Sequence, residues 1–453
     1  MQGEAIAAAR RLAAFAHGLR YEAIPQPVLA RMRDCVIDTV AATVYGHRSP
    51  AARIVLASQA ALQGRCAVLG ARPDVGRLPA EQAALVNGTL AHAMELDSLR
   101  QPGAGVHPGA VLLPAALAIA QEEGLGGQAL LTAMVAGCEV LFRIGSATRH
   151  SAEARGFHAP GLTGPFGAAV ACGHLLGLST EAMTHAIGIA GSLGGGLLEF
   201  ATAGEGGMVK RLHLGRAAAA GVLAARLAQR GFTGPSTVLE GPHGFLQAYC
   251  RETDTSALTA ALGERFETLS ICFKNYPCHI TAHNPVHTAR LLQALHGFSG
   301  ADVETVTVEG SAKMAALHGN RRPGDAVAAQ YSIAFCVAAA LLYNPADPST
   351  FTQSLGRPEL ADLCDRVEVL GSGAFPSAWS ARTTIRLRDG RCFSAQRDST
   401  PGFPTEPFTD VEKEAKFMAL TSAMGEASGL LFARLQVLEQ WRSLDWLAAS
   451  TNH

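Results

Sequence analysis

Up to about residue 265, apolar side chains recur at helical spacing in one segment after another, and this constrains the fold more than any other feature. Helices are expected over 28–44, 51–63, 79–96, 109–123, 128–147, 164–178, 179–193, 215–230 and 255–262. Residues 1–19 add an amphipathic pattern without the apolar block of a signal peptide. The connections are short and rich in glycine, which suits antiparallel helical neighbours. Apolar residues make up 48% of the chain and aromatics only 6%, with 48 glycines, so small side chains are expected between closely packed helices.

Near residue 268 the texture changes. Residues 303–310 alternate as a strand, 366–371 form a second candidate, and 383–396 read as a hairpin turning at Asp389-Gly390. Helical patterns over 283–293 and 325–343 lie among them, which together make a small α+β domain. After Pro401 and Pro404 the chain returns to helix over 410–424 and 429–448. The expected fold is therefore mainly α. A large helical domain, discontinuous over 1–267 and 403–453, is interrupted by a smaller α+β domain over 268–402.

A formal net charge of −1 gives no reason to expect nucleic acid or an anionic membrane as partner. The longest apolar run, 109–120, is too short to span a bilayer. Ten cysteines are scattered without a Cys-x-x-Cys, mostly in apolar context, as in reduced proteins. A cytoplasmic location is the expectation.

Residues 91–108 gather Glu95 and Asp97 at the end of a helical pattern, then cross a Pro/Gly-rich loop to His107, just before Pro108 and the next helix. A site and a plain capped helix–loop–helix both fit this local pattern. His158 repeats the layout, preceding Pro160, Pro165 and a helix. A helix N-terminus attracts anions and lowers the pKa of a nearby histidine, so two such histidines suit carboxylate binding and proton transfer near neutral pH. Lysines are few, which makes Lys210, after a Gly-rich loop, and Lys274 conspicuous. The runs Gly194-Gly195-Gly196 and Gly204-Glu205-Gly206-Gly207 lack both the phosphate-loop pattern and a preceding strand, so nucleotide binding is not expected. His279, His283 and His287 recur every four residues, but Pro277 and Pro285 interrupt them and no His-Glu-x-x-His is present; no metal is expected there.

Seven segments together resemble the MmgE/PrpD family over nearly the full length. They are Asn87-Gly88-Thr89-Leu90-Ala91-His92 with the acidic pair; His107-Pro108; Gly156-Phe157-His158; Lys210 to Ala218; Gly231-Phe232-Thr233-Gly234; Lys274-x-Tyr276-Pro277; and Gln330-Tyr331-Ser332. The resemblance implies a helical domain closed by an α+β lid, a homodimer, and an active site in the cleft between the two domains. Family members include 2-methylcitrate dehydratase, cis-aconitate decarboxylase and iminodisuccinate epimerase, which need no organic cofactor and act on small polycarboxylates. Carried over by position, it implies catalytic roles for His107, His158, Tyr331 and His279, and substrate binding by Lys210 and Lys274 with Glu95 and Asp97 beside them. His279 fits the decarboxylase pattern.

There are departures. Glu95 stands where the family usually has aspartate, Ser98 follows Asp97, and Leu99 corresponds most nearly to a threonine of the decarboxylases. The loop to His107 is longer than theirs and closer to that of the epimerases, so residues 98–106 are where substrate preference is expected. The resemblance favours a lyase, by 2-methylcitrate-like dehydration or cis-aconitate-like decarboxylation. An epimerase of an iminodisuccinate-like dicarboxylate ranks second, and an inert carboxylate-binding homologue is the alternative of another class.

Overall fold

The structure is a computed structural model and describes residues 7–71, 75–201, 207–372 and 375–451. Helix accounts for 57% of the chain and strand for 8%, which places it in the mainly α class with a smaller α+β part. One continuous apolar core joins residues from Ala9 to Phe273 with Phe417 to Leu447 from the C-terminal helices. A second core runs from Tyr276 to Leu387. Nine of the ten cysteines are buried and all are free.

The first core depends on helices that touch backbone to backbone. Ala80–His92 crosses Val209–Gln229 where Gly88 meets Gly215. A Cβ on Gly88 would lie 2.7 Å from Gly215 Cα, and one on Gly215 would lie 2.2 Å from the Leu85 carbonyl oxygen. Only glycine permits this approach, and the approach draws the first turn of the second helix, with Lys210 and Arg211, up to the chain leaving the first. That second helix starts at Val209, earlier than the expected 215, because Gly215 is an interior packing position rather than a boundary. Gly127–Ala147 is long and apolar enough to cross a membrane by length and composition, yet 89% of its most apolar window is buried inside the fold. It carries the buried Glu139–Arg143 pair, with Glu139 also accepting from Thr268.

The sheet of the second unit has the strand order Val367–Gly371, Val303–Gly310, Ala381–Leu387, Cys392–Arg397. Its first pair is parallel and the others antiparallel, and the hairpin turns at Gly390 with φ of 91°. A two-residue ladder that the sequence pattern does not announce, Leu99–Arg100 against Ile271–Cys272, ties the 98–106 loop to the chain entering the second unit.

Five expected helices end or break differently; that over 51–63 stops at Ala57. The pattern over 79–96 stops at His92, and Glu95 adopts the left-handed region with φ of 56°. The segment 255–262 is only a short 3-10 turn, Thr255–Leu258, followed by left-handed backbone at Ala261 and Gly263. The 325–343 pattern splits into Ala326–Tyr331 and Ile333–Leu342 at Ser332, which is extended and caps the second helix by accepting from Phe335 N at 2.9 Å. The 429–448 pattern splits into Ala427–Gln436 and Trp446–Thr451 around a 3-10 turn.

Candidate active site

Asp97 is fully buried, and its Oδ2 accepts from His107 Nδ1 at 2.7 Å and from His92 Nδ1 at 3.0 Å. Burial pushes this carboxyl up, but His92 and His107 outweigh it and hold Asp97 well below the usual carboxylate range. It is therefore an ionised acceptor, which fixes a proton on Nδ1 of each ring and leaves Nε2 as the working atom. Burial holds the His92 imidazole well below its ordinary value despite Asp97. His107 stands at the entrance of Pro108–Glu122 and His158 at the entrance of Ala159–Leu175, where the prolines in the first turns need no N–H partner. The His158 ring lies 6.2 Å from that of His92, and its Nδ1 is 2.9 Å from Nδ1 of His213. Burial, reinforced by His92 and His213, keeps His158 well below the ordinary imidazole value.

Glu95 gathers three basic side chains. Lys274 Nζ donates to its Oε2 at 2.7 Å, Arg211 to its Oε1 at 2.6 Å, and Lys210 Nζ to the same Oε1. Glu95, Lys210, Lys274 and Arg211 are all buried. A left-handed residue costs about 1–2 kcal/mol, and three charge-assisted hydrogen bonds of about 1.5–3 kcal/mol each offset it. This explains why a helical pattern gives way here to an unfavourable backbone. Burial, together with the positive charges of Arg211 and Lys274, holds Lys210 well below the usual lysine range.

The second unit supplies the opposite wall. Breaking the helix at Ser332 frees the Gln330 carbonyl to accept from His279 N at 2.8 Å and the Tyr331 carbonyl to accept from His318 Nδ1 at 3.0 Å. The His279 ring stacks on His318 at 4.5 Å and leans on Tyr331 at 4.7 Å, and Lys210 Nζ sits 4.6 Å from the centre of the Tyr331 ring. Gln330 bridges the two units, accepting from Arg211 at 2.7 Å and donating to the carbonyls of Met94 and Pro277. Phe200 closes the circuit, 5.4 Å from His158 and 6.4 Å from Tyr331. Burial keeps His279 neutral, with its pKa well below the ordinary value, and pushes the Tyr331 hydroxyl up.

The fold thus brings His107, His158, Tyr331, His279, Lys210, Lys274, Glu95 and Asp97 into one connected network. Sequence reasoning did not single out His92, Arg211, His213, Gln330 or His318. Arg211 and His213 lie inside the segment that begins at Lys210 and His92 closes another quoted segment, so adjacency was the available signal; nothing local marks His318. The three histidines at four-residue spacing diverge: His279 faces His318, His283 Nε2 meets the Cys278 carbonyl, and His287 meets the Tyr276 hydroxyl. His92, Asp97 and His107 hold metal-capable atoms within 4.8 Å of one another. Both Nδ1 atoms are already committed to Asp97, and the nearby Lys210 charge opposes a further cation, so hydrogen bonding explains the trio better. In the glycine run 194–196, Gly194 and Gly196 serve close packing, whereas a Cβ on Gly195 would meet nothing. A Cβ on Gly196 would come 3.1 Å from His213 Nδ1, and its carbonyl accepts from His158 N. Leu99 belongs to a small apolar cluster with Cys272, Ile280 and Phe403. Elsewhere in the 98–106 loop, Ser98 accepts from Gly109 N, the Gly105 carbonyl accepts from Thr163, and other residues pack on Glu267, Trp379, His150 and Gly145.

Two family models match in tandem, the MmgE/PrpD N-terminal domain over residues 10–258 and the MmgE/PrpD C-terminal domain over residues 276–430. The chain belongs to the MmgE/PrpD family. Among its relatives, a cis-aconitate decarboxylase of Aspergillus terreus is 30% identical over 409 residues, covering 84% of this chain and 80% of that protein. The cis-aconitate decarboxylase-like protein oryM of Aspergillus oryzae is 29% identical, covering 93% and 92%. The cis-aconitate decarboxylase of Homo sapiens is 26% identical, covering 90% and 86%. At the coarse level of reaction class, this MmgE/PrpD chain takes its place among the family's lyases.

Proposed function

We propose that the protein is a carboxy-lyase that removes carbon dioxide from a small unsaturated tricarboxylate of the cis-aconitate type, without an organic cofactor. The observation that carries this reading is the convergence of three buried basic side chains on a single carboxylate, ringed by imidazoles. Among the described residues, Lys210, Arg211 and Lys274 share Glu95 alone, which leaves positive potential suited to a polyanion. The decarboxylase names of the relatives and the presence of His279 favour decarboxylation over dehydration and epimerisation.

In the proposed reaction the lysines hold substrate carboxylates by charge-assisted hydrogen bonds. The bond to the departing carboxylate breaks, and its electron pair spreads through the neighbouring alkene into a second carboxylate. Preorganised cations stabilise that developing charge, where each such donor is typically worth about 2.7–4 kcal/mol. His107, with Nδ1–H held by Asp97, first takes a proton from solvent on Nε2, then delivers it to carbon and is left neutral. Neutral His158 offers a single ring N–H to the substrate, while Tyr331 and His279 line the opposite side. The test is His158→Ala and Lys210→Ala, expected to lose roughly 10²–10⁴-fold in turnover with unchanged circular dichroism, while Lys210→Ala, which deletes a partner of the buried Glu95, also melts a few degrees lower. Near wild-type rates in both folded variants would remove the assignment.

A further inference from the structure

We propose that Gln330 is a positioning residue that joins the Glu95 hub to the His279–Tyr331 wall, so that an anion held at the hub and the docked second unit stabilise one another. This role rests on the proposed function only for an anionic ligand at the lysines, and not for the loss of carbon dioxide. Three side-chain hydrogen bonds define it. Gln330 Oε1 accepts from Arg211 Nη2 at 2.7 Å, and Nε2 donates to the Pro277 carbonyl at 2.9 Å and to the Met94 carbonyl at 3.2 Å. The partners fix every direction, since a guanidinium only donates and a peptide carbonyl only accepts. The amide therefore has one orientation, with its oxygen and both of its N–H groups engaged. Gln330 is 3% exposed, so water does not replace a bond that is removed.

These bonds end on the segments that carry the site. Met94 immediately precedes Glu95, whose left-handed backbone presents its carboxylate to the three basic side chains. Pro277 lies between His279 and Lys274, which donates to Glu95 at 2.7 Å. Arg211 gives Nη1 to Glu95 and to the His92 carbonyl, and Nη2 to Gln330, so acceptors from both units hold its guanidinium. The Gln330 backbone adds a further tie, its carbonyl accepting from His279 N at 2.8 Å, and Tyr331 is the next residue. The lysines are less committed. Among the described residues, Lys210 and Lys274 each give one hydrogen bond, to Glu95, which leaves two N–H groups on each ammonium for a ligand. A carboxylate taken there restrains Glu95 and Arg211, and Gln330 carries the restraint to the His279 segment. Linkage makes the effect reciprocal: parting the units takes Gln330 from Arg211 and weakens the ligand.

Amide hydrogen exchange at His279 reads this coupling, because that N–H belongs to the second unit and donates to the Gln330 carbonyl. Citrate at a hundredfold excess over its Kd should slow the exchange by at least about tenfold in the wild type. In Gln330→Met, which keeps the length but has no amide, the slowing should shrink below about twofold. The citrate Kd should rise about ten- to hundredfold, the equivalent of one charge-assisted hydrogen bond. In Gln330→Glu the carboxylate still accepts from Arg211, but at pH 8 it has no proton for either carbonyl and adds a second negative charge beside the hub. Citrate should bind this variant more weakly than the Met variant. A merely structural role would lower melting and leave the citrate affinity of the folded variants unchanged. Wild-type exchange that citrate does not slow, equal slowing in wild type and Gln330→Met, or variants that bind citrate within twofold of wild type would overturn the proposal. The expected protection in a protein that releases no carbon dioxide from cis-aconitate would instead remove the decarboxylation reading alone.

Discussion

Replacing Glu95 with glutamine is the perturbation that the geometry describes most fully. The amide keeps the shape and the left-handed backbone, but it removes the one carboxylate that, among the described residues, Lys210, Arg211 and Lys274 share. Its NH2 also faces donors where an acceptor stood. Breaking a buried ion pair by deleting one partner costs about 3–5 kcal/mol. Unfolding entropy of about 2.1 cal/mol/K per residue over 453 residues makes each kcal/mol worth roughly 1 °C. Glu95→Gln should therefore melt about 3–5 °C below wild type. The uncompensated cations should then recruit an external anion. A tricarboxylate present at a hundredfold excess over its Kd returns about 2.7 kcal/mol, or roughly 3 °C, and should stabilise the variant more than the wild type. Calorimetry of both proteins with and without citrate is the assay. A variant that melts within 0.5 °C of wild type, or citrate shifts that are equal in the two proteins, would refute the claim that Glu95 is the hub of the cationic set.

Two further predictions concern stability. The buried imidazoles of His92, His158, His213, His279 and His318 are all held below their ordinary values, His213 and His318 to about 4. The unfolded chain therefore binds more protons as pH falls. Their contribution is complete above about pH 6.5 and is lost from there toward pH 4, at about 1.4 kcal/mol per pH unit for each proton taken up. Melting temperatures should fall steadily between pH 7 and 5, and a flat profile would contradict the burial assignment. Gly215→Ala should destabilise by about 1–3 kcal/mol, because its Cβ would lie 2.2 Å from the Leu85 carbonyl oxygen. Denaturant unfolding that superimposes on wild type would show that the helices can part without cost.

The helical half was legible in the sequence because its signal is local: apolar spacing marks each helix, and prolines just inside Pro108–Glu122 and Ala159–Leu175 mark the entrances that carry His107 and His158. The missed features are those decided by distant partners. Nothing near Glu95 announces a left-handed residue, since the stabilising cations come from positions 210, 211 and 274. The break at Ser332 was hidden in an apolar helical pattern, and its purpose shows only when His279 and His318 arrive at the freed carbonyls. Gly215 read as a helix boundary because glycine inside a helix is unfavourable until a second helix presses against it. The loop 98–106 stood out by its length, yet it packs against Glu267, Trp379, His150 and Gly145 rather than gathering the basic side chains.

The central claim is that this basic and imidazole pocket decarboxylates an unsaturated tricarboxylate. Incubating the purified protein with ¹³C-labelled cis-aconitate in deuterated water and following it by NMR tests that claim most directly. The account predicts labelled carbon dioxide together with a five-carbon unsaturated diacid bearing one deuteron from solvent. Interconversion with a hydroxy acid by loss or gain of water, deuterium exchange with all six carbons retained, or an unchanged spectrum would contradict it.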